Sequence, residues 1–144
     1  MFISKYFATY PGVKVYMEST TMQAEHQGFV ETIYGRRRYL SDELHSSNDM
    51  IREFAKRAAI NQPLQGTAAD IMKIAMIDFW QKLKYNNLKS RMIMQVHDEI
   101  VVELENSETQ IVQKLVKEAM ELDQKLSVPL VVDISIGDSW KEGG

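Results

Sequence analysis

The 144-residue chain contains no cysteine, so neither disulfides nor thiolate metal sites are possible, which fits a reducing compartment. Long hydrophobic runs are missing as well. No segment is apolar enough for a membrane helix, and the opening MFISKYFATYPG lacks the uninterrupted apolar stretch of a signal peptide. No membrane partner is expected, and a cytoplasmic location is. There is no excess of positive charge: 17 Lys and Arg oppose 20 Asp and Glu, for a net charge of −3. Any contact with nucleic acid must therefore rest on local clusters. No internal repeat, low-complexity tract or domain linker is visible. By length, and with 44% apolar and 26% charged residues, the chain is an ordinary globular domain with enough material for a core.

What is present centres on residues 92–105, MIMQVHDEIVVELE. Two apolar arms, 92–96 and 100–104, flank a polar knot of His97, Asp98 and Glu99. Val- and Ile-rich runs of this length around a brief polar step predict a β-hairpin. Its turn then carries an imidazole and two adjacent carboxylates. Two readings stay open here. Asp is a common turn residue, so the knot is a solvated tip; or the repulsion between the acids is tolerated because a metal cation shares them.

Upstream, Phe2, Ile3, Tyr6, Phe7 and Tyr10 form a stripe at helical spacing, punctuated by Pro11-Gly12. This helix starts at the initiator Met without a capping residue, as expected of a chain cut from something longer. A second helix is predicted over 13–26, with Val13, Tyr16, Met17, Met22 and Ala24 as candidate core and Gly28 as cap. FVETIYGRRRYL, 29–40, reads as a small hairpin around Tyr34-Gly35. Side chains alternate along a strand, so Arg36, Arg37 and Arg38 cannot all face one partner. A solvated basic patch and phosphate contact both remain open for them. Residues 41–48 read as a polar loop.

A helix over 49–61 carries Arg52, Lys56 and Arg57, and Pro63 is expected to break or kink it at Gln62. The next helix, 64–83, is the most periodic, with Leu64, Ala68, Ile71, Met72, Ala75, Met76, Phe79 and Leu83 on one face. Gln65 and Gly66 are expected at its electropositive start. Ser107 and Gln110 form a capping-box signature for a helix to about residue 126, closed by Pro129. Residues 130–136 alternate, with Val132, Ile134 and Ile136 on one face of a half-buried strand, and Trp140 is the expected anchor of the tail.

This order is α+β: helices packed on a small, partly incomplete antiparallel sheet, plus a small separate hairpin. Both arms of the central hairpin are nearly continuously apolar, which suits cover on more than one side. Three strands leave an open apolar edge, so self-association is expected.

Five segments, taken together, resemble one family. MQVHDEIVVE resembles the last polymerase motif of the family A DNA polymerases, the bacterial DNA polymerase I type, and KRAAINQPLQGTAADIMKIAMI resembles the segment before it. YPGVKVYME, GFVETIYGRRRYL and VPLVVDISIGDSW match the same family in order, so the resemblance runs from Phe2 to Trp140. It implies fingers-derived helices and the small hairpin at 1–61, and the palm-derived long helix, catalytic hairpin, helix and strand at 62–144. It implies template-directed nucleotidyl transfer from deoxynucleoside triphosphates to a primer 3′-hydroxyl, with two Mg²⁺ ions.

By the same resemblance, Asp98 is a catalytic carboxylate and metal ligand, Glu99 its less essential acidic partner, and His97 lies beside the primer end. Arg57, Asn61 and Gln65 correspond to residues that approach primer-template DNA from the minor-groove side, and Arg37 joins them from the arginine run. Minor-groove acceptors are nearly equivalent in all base pairs, so donors there check geometry without reading sequence. Bridging two cations needs carboxylates from separate strands. In the family the other essential Asp and the nucleotide-binding fingers helix would lie before residue 1. The chain alone is therefore expected to be inactive and to need that upstream polymerase segment. A non-catalytic DNA-binding or polymerase-docking module is the competing class. A metal-dependent hydrolase built on Asp98, Glu99 and His97 rests on composition alone.

Overall fold

The computed structural model describes residues 2–122 and 126–140. In chain order the elements are α1 (Phe2–Thr9), α2 (Pro11–Gln27), β1 (Phe29–Glu31), β2 (Arg37–Tyr39), α3 (Ser41–Leu44), α4 (Asp49–Tyr85), β3 (Arg91–Val96), β4 (Glu99–Glu103) and α5 (Thr109–Glu121). The α+β expectation holds, with two two-stranded antiparallel sheets. No helix among the described residues is long and apolar enough to cross a membrane. The chain divides into two compact units, Met1–Asp70 and Ile71–Gly144. That division and the expected fingers-to-palm junction at 61/62 both fall inside α4.

In the first unit, α2 opens on Pro11, whose absent N–H is an orphan donor at that position anyway. It ends where Gly28 takes φ 87° and donates its N–H to the Ala24 carbonyl at 2.8 Å. The core is small: Ala24, Val30, Leu40, Leu44, Ala55 and Ala59. Leu44 belongs to α3, a helical turn where the polarity of 41–48 predicted a loop. Of the expected core of the second helix, Ala24 is buried but Met22 is 69% exposed. The aromatic stripe of α1 buries nothing among the described residues, since Phe2, Ile3, Tyr6 and Tyr10 are all exposed.

The break expected before Pro63 does not occur, for α4 is one helix of 37 residues with Pro63 inside it. A proline there removes the hydrogen bond to the carbonyl of Ala59 and crowds that turn. The neighbouring Ile60 carbonyl instead accepts the Tyr16 hydroxyl at 2.9 Å. Ala55 and Ala59, one turn apart, are buried in the same region. Tertiary contact carries the helix through the proline. Gln65 and Gly66 consequently lie mid-helix, away from any electropositive terminus, and Leu64 is exposed rather than core.

The second unit has the larger side chains. Phe79 is fully buried with Leu83, Val112, Leu115, Val116 and Ala119, and Met92 and Val102 of the hairpin pack against them. In the β3–β4 ladder Met92 pairs with Val102 and Met94 with Val101, which leaves Ile93 as a bulge. Ile93 is 58% exposed, so this hairpin is covered on one face rather than two. A bulge inserts one residue and disrupts the alternation, which an apolar pattern cannot reveal.

Three further expectations are corrected here. Ser107 does not cap α5: it lies in a 3₁₀ turn, Asn106–Glu108, and Glu108 holds the capping position without a side-chain cap bond. The Glu108 carboxylate accepts from the backbone N–H groups of Lys89 and Ser90 instead, a better use of a charged acceptor. Residues 130–136 form no strand, because a ladder needs a neighbour and none among the described residues pairs with them. Val132 donates its N–H to the Glu121 carboxylate at 3.2 Å. Trp140 is 54% exposed rather than a buried anchor. The predicted extension of α5 toward 126 runs through 123–125, outside the described residues.

Candidate catalytic hairpin and nucleic-acid interface

The polar knot becomes the tip of β3–β4. Val96 pairs with Glu99, so His97 and Asp98 alone make the turn. Two-residue turns that match the strand twist need positive φ at their first position, and His97 supplies it at 53°. Histidine is among the side chains that enter this region most readily. The Gln95 amide donates to the His97 carbonyl and braces the turn. His97, Asp98 and Glu99 are all exposed. No hydrogen bond or ion pair among the described residues engages the Asp98 or Glu99 carboxylates, which stay hydrated and open to a cation. The tip is not a closed metal site by itself. No group of three or more His, Asp or Glu among the described residues is placed to hold an ion.

In the first unit, Arg57, Asn61 and Gln65 lie on α4 at intervals of four, all exposed. At 1.5 Å per residue the row spans about 12 Å, the rise of three to four base pairs. It offers guanidinium and amide donors along one helix face.

The arginine run divides as alternation requires. Arg37 turns to its own hairpin: Nε lies 3.4 Å from Glu31 Oε2, and the guanidinium sits 4.2 Å above the Phe29 ring. A hydrogen bond with Tyr39, and the pairing with Glu31, raise its pKa further above the usual arginine range. Arg38 reaches Gln62 Oε1 at 3.4 Å. Arg36 goes to Asp70, with Nε 2.8 Å from Oδ1, and also donates to the Gly66 carbonyl at 3.2 Å.

This last contact belongs to a polar network that sequence reasoning missed. The Thr32 hydroxyl donates to Asp70 Oδ2 at 2.7 Å and accepts the N–H groups of Tyr34 and Arg36. The Ile33 N–H reaches Thr67 Oγ1 at 3.1 Å. Gly66 makes the close approach feasible, since a Cβ there would stand 2.8 Å from Thr32 Cγ2 and 2.9 Å from Gln62 Nε2. Two signals in the sequence pointed this way: a glycine inside a strong helical pattern, and Asp70 on an otherwise apolar stretch. Both needed a partner 30 or more residues away to be interpretable.

With this geometry in place, comparison supplies the family. Residues 1–142 match DNA polymerase family A, and the chain belongs to it. Among its relatives, the DNA polymerase I of Caldicellulosiruptor bescii is 50% identical over 141 residues, covering 98% of this chain and 16% of that protein. The DNA polymerase I of Bacillus subtilis is 50% identical over 139 residues, covering 96% and 16%. A solved structure, the POL domain of Pol1 from M. smegmatis in complex with DNA primer-template and dNTP, superposes with a TM-score of 0.94 at 44% identity. That match covers 98% of this chain and 25% of the other. The chain thus spans about 16% of the length of the curated relatives it matches.

Proposed function

We propose that the chain is the part of a DNA-directed DNA polymerase that presents one catalytic carboxylate and a primer-template contact row. The observation that carries this reading is the two-residue turn that exposes Asp98 at the end of a two-stranded antiparallel ladder. The parent reaction is nucleotidyl transfer from a deoxynucleoside triphosphate to a primer 3′-hydroxyl, on DNA and therefore in the cytoplasm. Residues 1–61 then belong to the fingers and 62–144 to the palm. Family membership and the primer-template and dNTP bound to the M. smegmatis relative support this.

The oxygen donors at the tip suit Mg²⁺, a hard cation held by one or two carboxylates together with substrate phosphates. Asp98 is the residue that would hold it, with Glu99 beside it. When bound, the ion supplies acidification of the primer hydroxyl and neutralisation of charge on the triphosphate. His97 shares the turn and lies at the primer end. Arg57, Asn61 and Gln65 donate to minor-groove acceptors, and Arg37 contributes charge toward phosphate while held by Glu31. In this reading Asp98 holds an ion only together with groups from other polypeptide and from substrate, and the 144-residue chain by itself is expected to be inactive.

Two assays test this. Binding of a labelled primer-template should weaken by about tenfold when Arg57 and Gln65 are both changed to Ala, about 1.4 kcal/mol. Unchanged binding would remove the contact row. Template-directed incorporation by the purified chain, above an Asp98→Ala control, would overturn its inactivity. A non-catalytic DNA-binding role would show as wild-type binding that Mg²⁺ and Asp98→Ala leave unaltered.

A further inference from the structure

The β3–β4 hairpin has a weakly specified register. Its arms are almost continuously apolar, so slipping one strand by a residue exchanges one apolar side chain for another and costs little burial. Its turn, His97-Asp98, is not one of the Asn-Gly or Asp-Gly pairs that impose a turn type. It already contains a bulge at Ile93. Neither pattern nor turn explains why Asp98 stands at the tip. The root of the hairpin does.

There, Glu108 Oε1 accepts the Lys89 N–H at 2.6 Å and the Ser90 N–H at 3.0 Å, and Oε2 accepts Lys89 again at 2.9 Å. These two amides immediately precede β3. Ser90 is 3% exposed, and its hydroxyl accepts the Glu105 N–H, just past β4, at 2.9 Å. Glu108 N–H in turn donates to the Glu105 carbonyl at 2.8 Å. One carboxylate and one hydroxyl thereby tie the entry of β3, the exit of β4 and the start of α5 together. Each bond uses a specific backbone amide, so a one-residue slip breaks all of them and leaves the part-buried Ser90 and Glu105 N–H groups without these acceptors.

We propose that Glu108, acting with Ser90, is a positioning residue that fixes the β3–β4 register and so places Asp98 at the turn. Its bearing on catalysis rests on the reading of Asp98 as a metal ligand, but the register claim stands by itself. Nothing about Glu108 touches substrate; it acts through the ladder.

Nuclear magnetic resonance on the 144-residue chain tests it, with Glu108→Ala, Glu108→Gln and Ser90→Ala. Three readouts are taken: amide exchange at Val96 and Glu99 relative to Phe79 and Leu83, cross-strand contacts, and paramagnetic broadening of residues 97–99 by Mn²⁺. The expected result for Glu108→Ala is hairpin exchange about tenfold faster relative to the core amides, with a second set of cross-strand contacts. Glu108→Gln keeps one acceptor oxygen and should fall between. Mn²⁺ broadening at Asp98 should weaken in the same order. Exchange that accelerates equally in hairpin and core, with one set of cross-strand contacts, would show that Glu108 only starts α5, and the proposal falls. Should Glu108→Ala fail to fold, Ser90→Ala decides by the same readouts. If the wild-type tip shows no Mn²⁺ broadening, the metal reading fails while exchange still judges the clasp.

Discussion

The two hairpins of this chain are fixed in opposite ways. β1–β2 is tied down at its turn: Thr32, Ile33 and Arg36 all bond to α4, through Asp70, Thr67 and Gly66. β3–β4 is tied at its root, through Glu108 and Ser90, and among the described residues its turn carries only the internal Gln95 brace. A turn whose polar groups are spent on its own protein is a structural device. A turn whose carboxylates remain hydrated, on a ladder held firmly elsewhere, is where an outside ligand can be met. Rigid support with an unspent tip is the arrangement that binding chemistry asks for.

Breaking the first hairpin's anchor should therefore cost stability, and breaking the second hairpin's tip should cost binding alone. The largest effect is expected for Asp70→Ala, which takes the acceptor from the buried Thr32 hydroxyl and one of two acceptors from Arg36; we expect a loss of about 2–3 kcal/mol in urea unfolding. Asp70→Asn, which keeps an acceptor for Thr32, should lose less. Gly66→Ala comes next, at about 1–3 kcal/mol, because its methyl group must displace Thr32 or Gln62. A melting temperature equal to wild type would mean that the hairpin yields freely there.

Tyr16→Phe removes the donor to Ile60 and should cost about 1 kcal/mol at neutral pH. Burial raises the Tyr16 phenol above the ordinary value of 10.0, against a smaller lowering by its bond with Thr20. A raised folded pKa favours the neutral phenol in the folded state. That contribution is complete below pH 10.0 and is lost as the pH climbs through the folded value. Wild type and Tyr16→Phe should thus converge in stability at strongly alkaline pH; a constant gap would contradict the assignment. The smallest effect on stability is expected for Asp98→Ala, within about 0.5 kcal/mol, because its side chain is exposed. The same variant should abolish Mn²⁺ broadening at the tip, and that pairing of outcomes most sharply separates the two hairpins.

Much of this was legible beforehand because it is local. Alternating and helical patterns located both hairpins and the helices other than the short α3, Gly28 marked its cap, and the resemblance over 139 positions brought in the family that comparison established. The polar row Arg57, Asn61 and Gln65 was readable only through that resemblance, since exposed polar residues on a helix carry no signal of their own. Pro63 misled for a clear reason. Its local cost is real, yet the Tyr16 hydroxyl that helps to offset it reaches the Ile60 carbonyl from 44 residues away in sequence.

The sequence by itself determined the α+β class, the two antiparallel hairpins and the identity of the residues at the acidic turn, because period and turn chemistry act over a few residues. Only the tertiary structure decided that α4 runs unbroken through a proline, that Ile93 bulges, that 130–136 has no ladder partner among the described residues and which acceptor each of the three arginines finds. Each of those depends on which distant donor, acceptor or strand edge is within reach, and a pattern along the chain does not contain that distance.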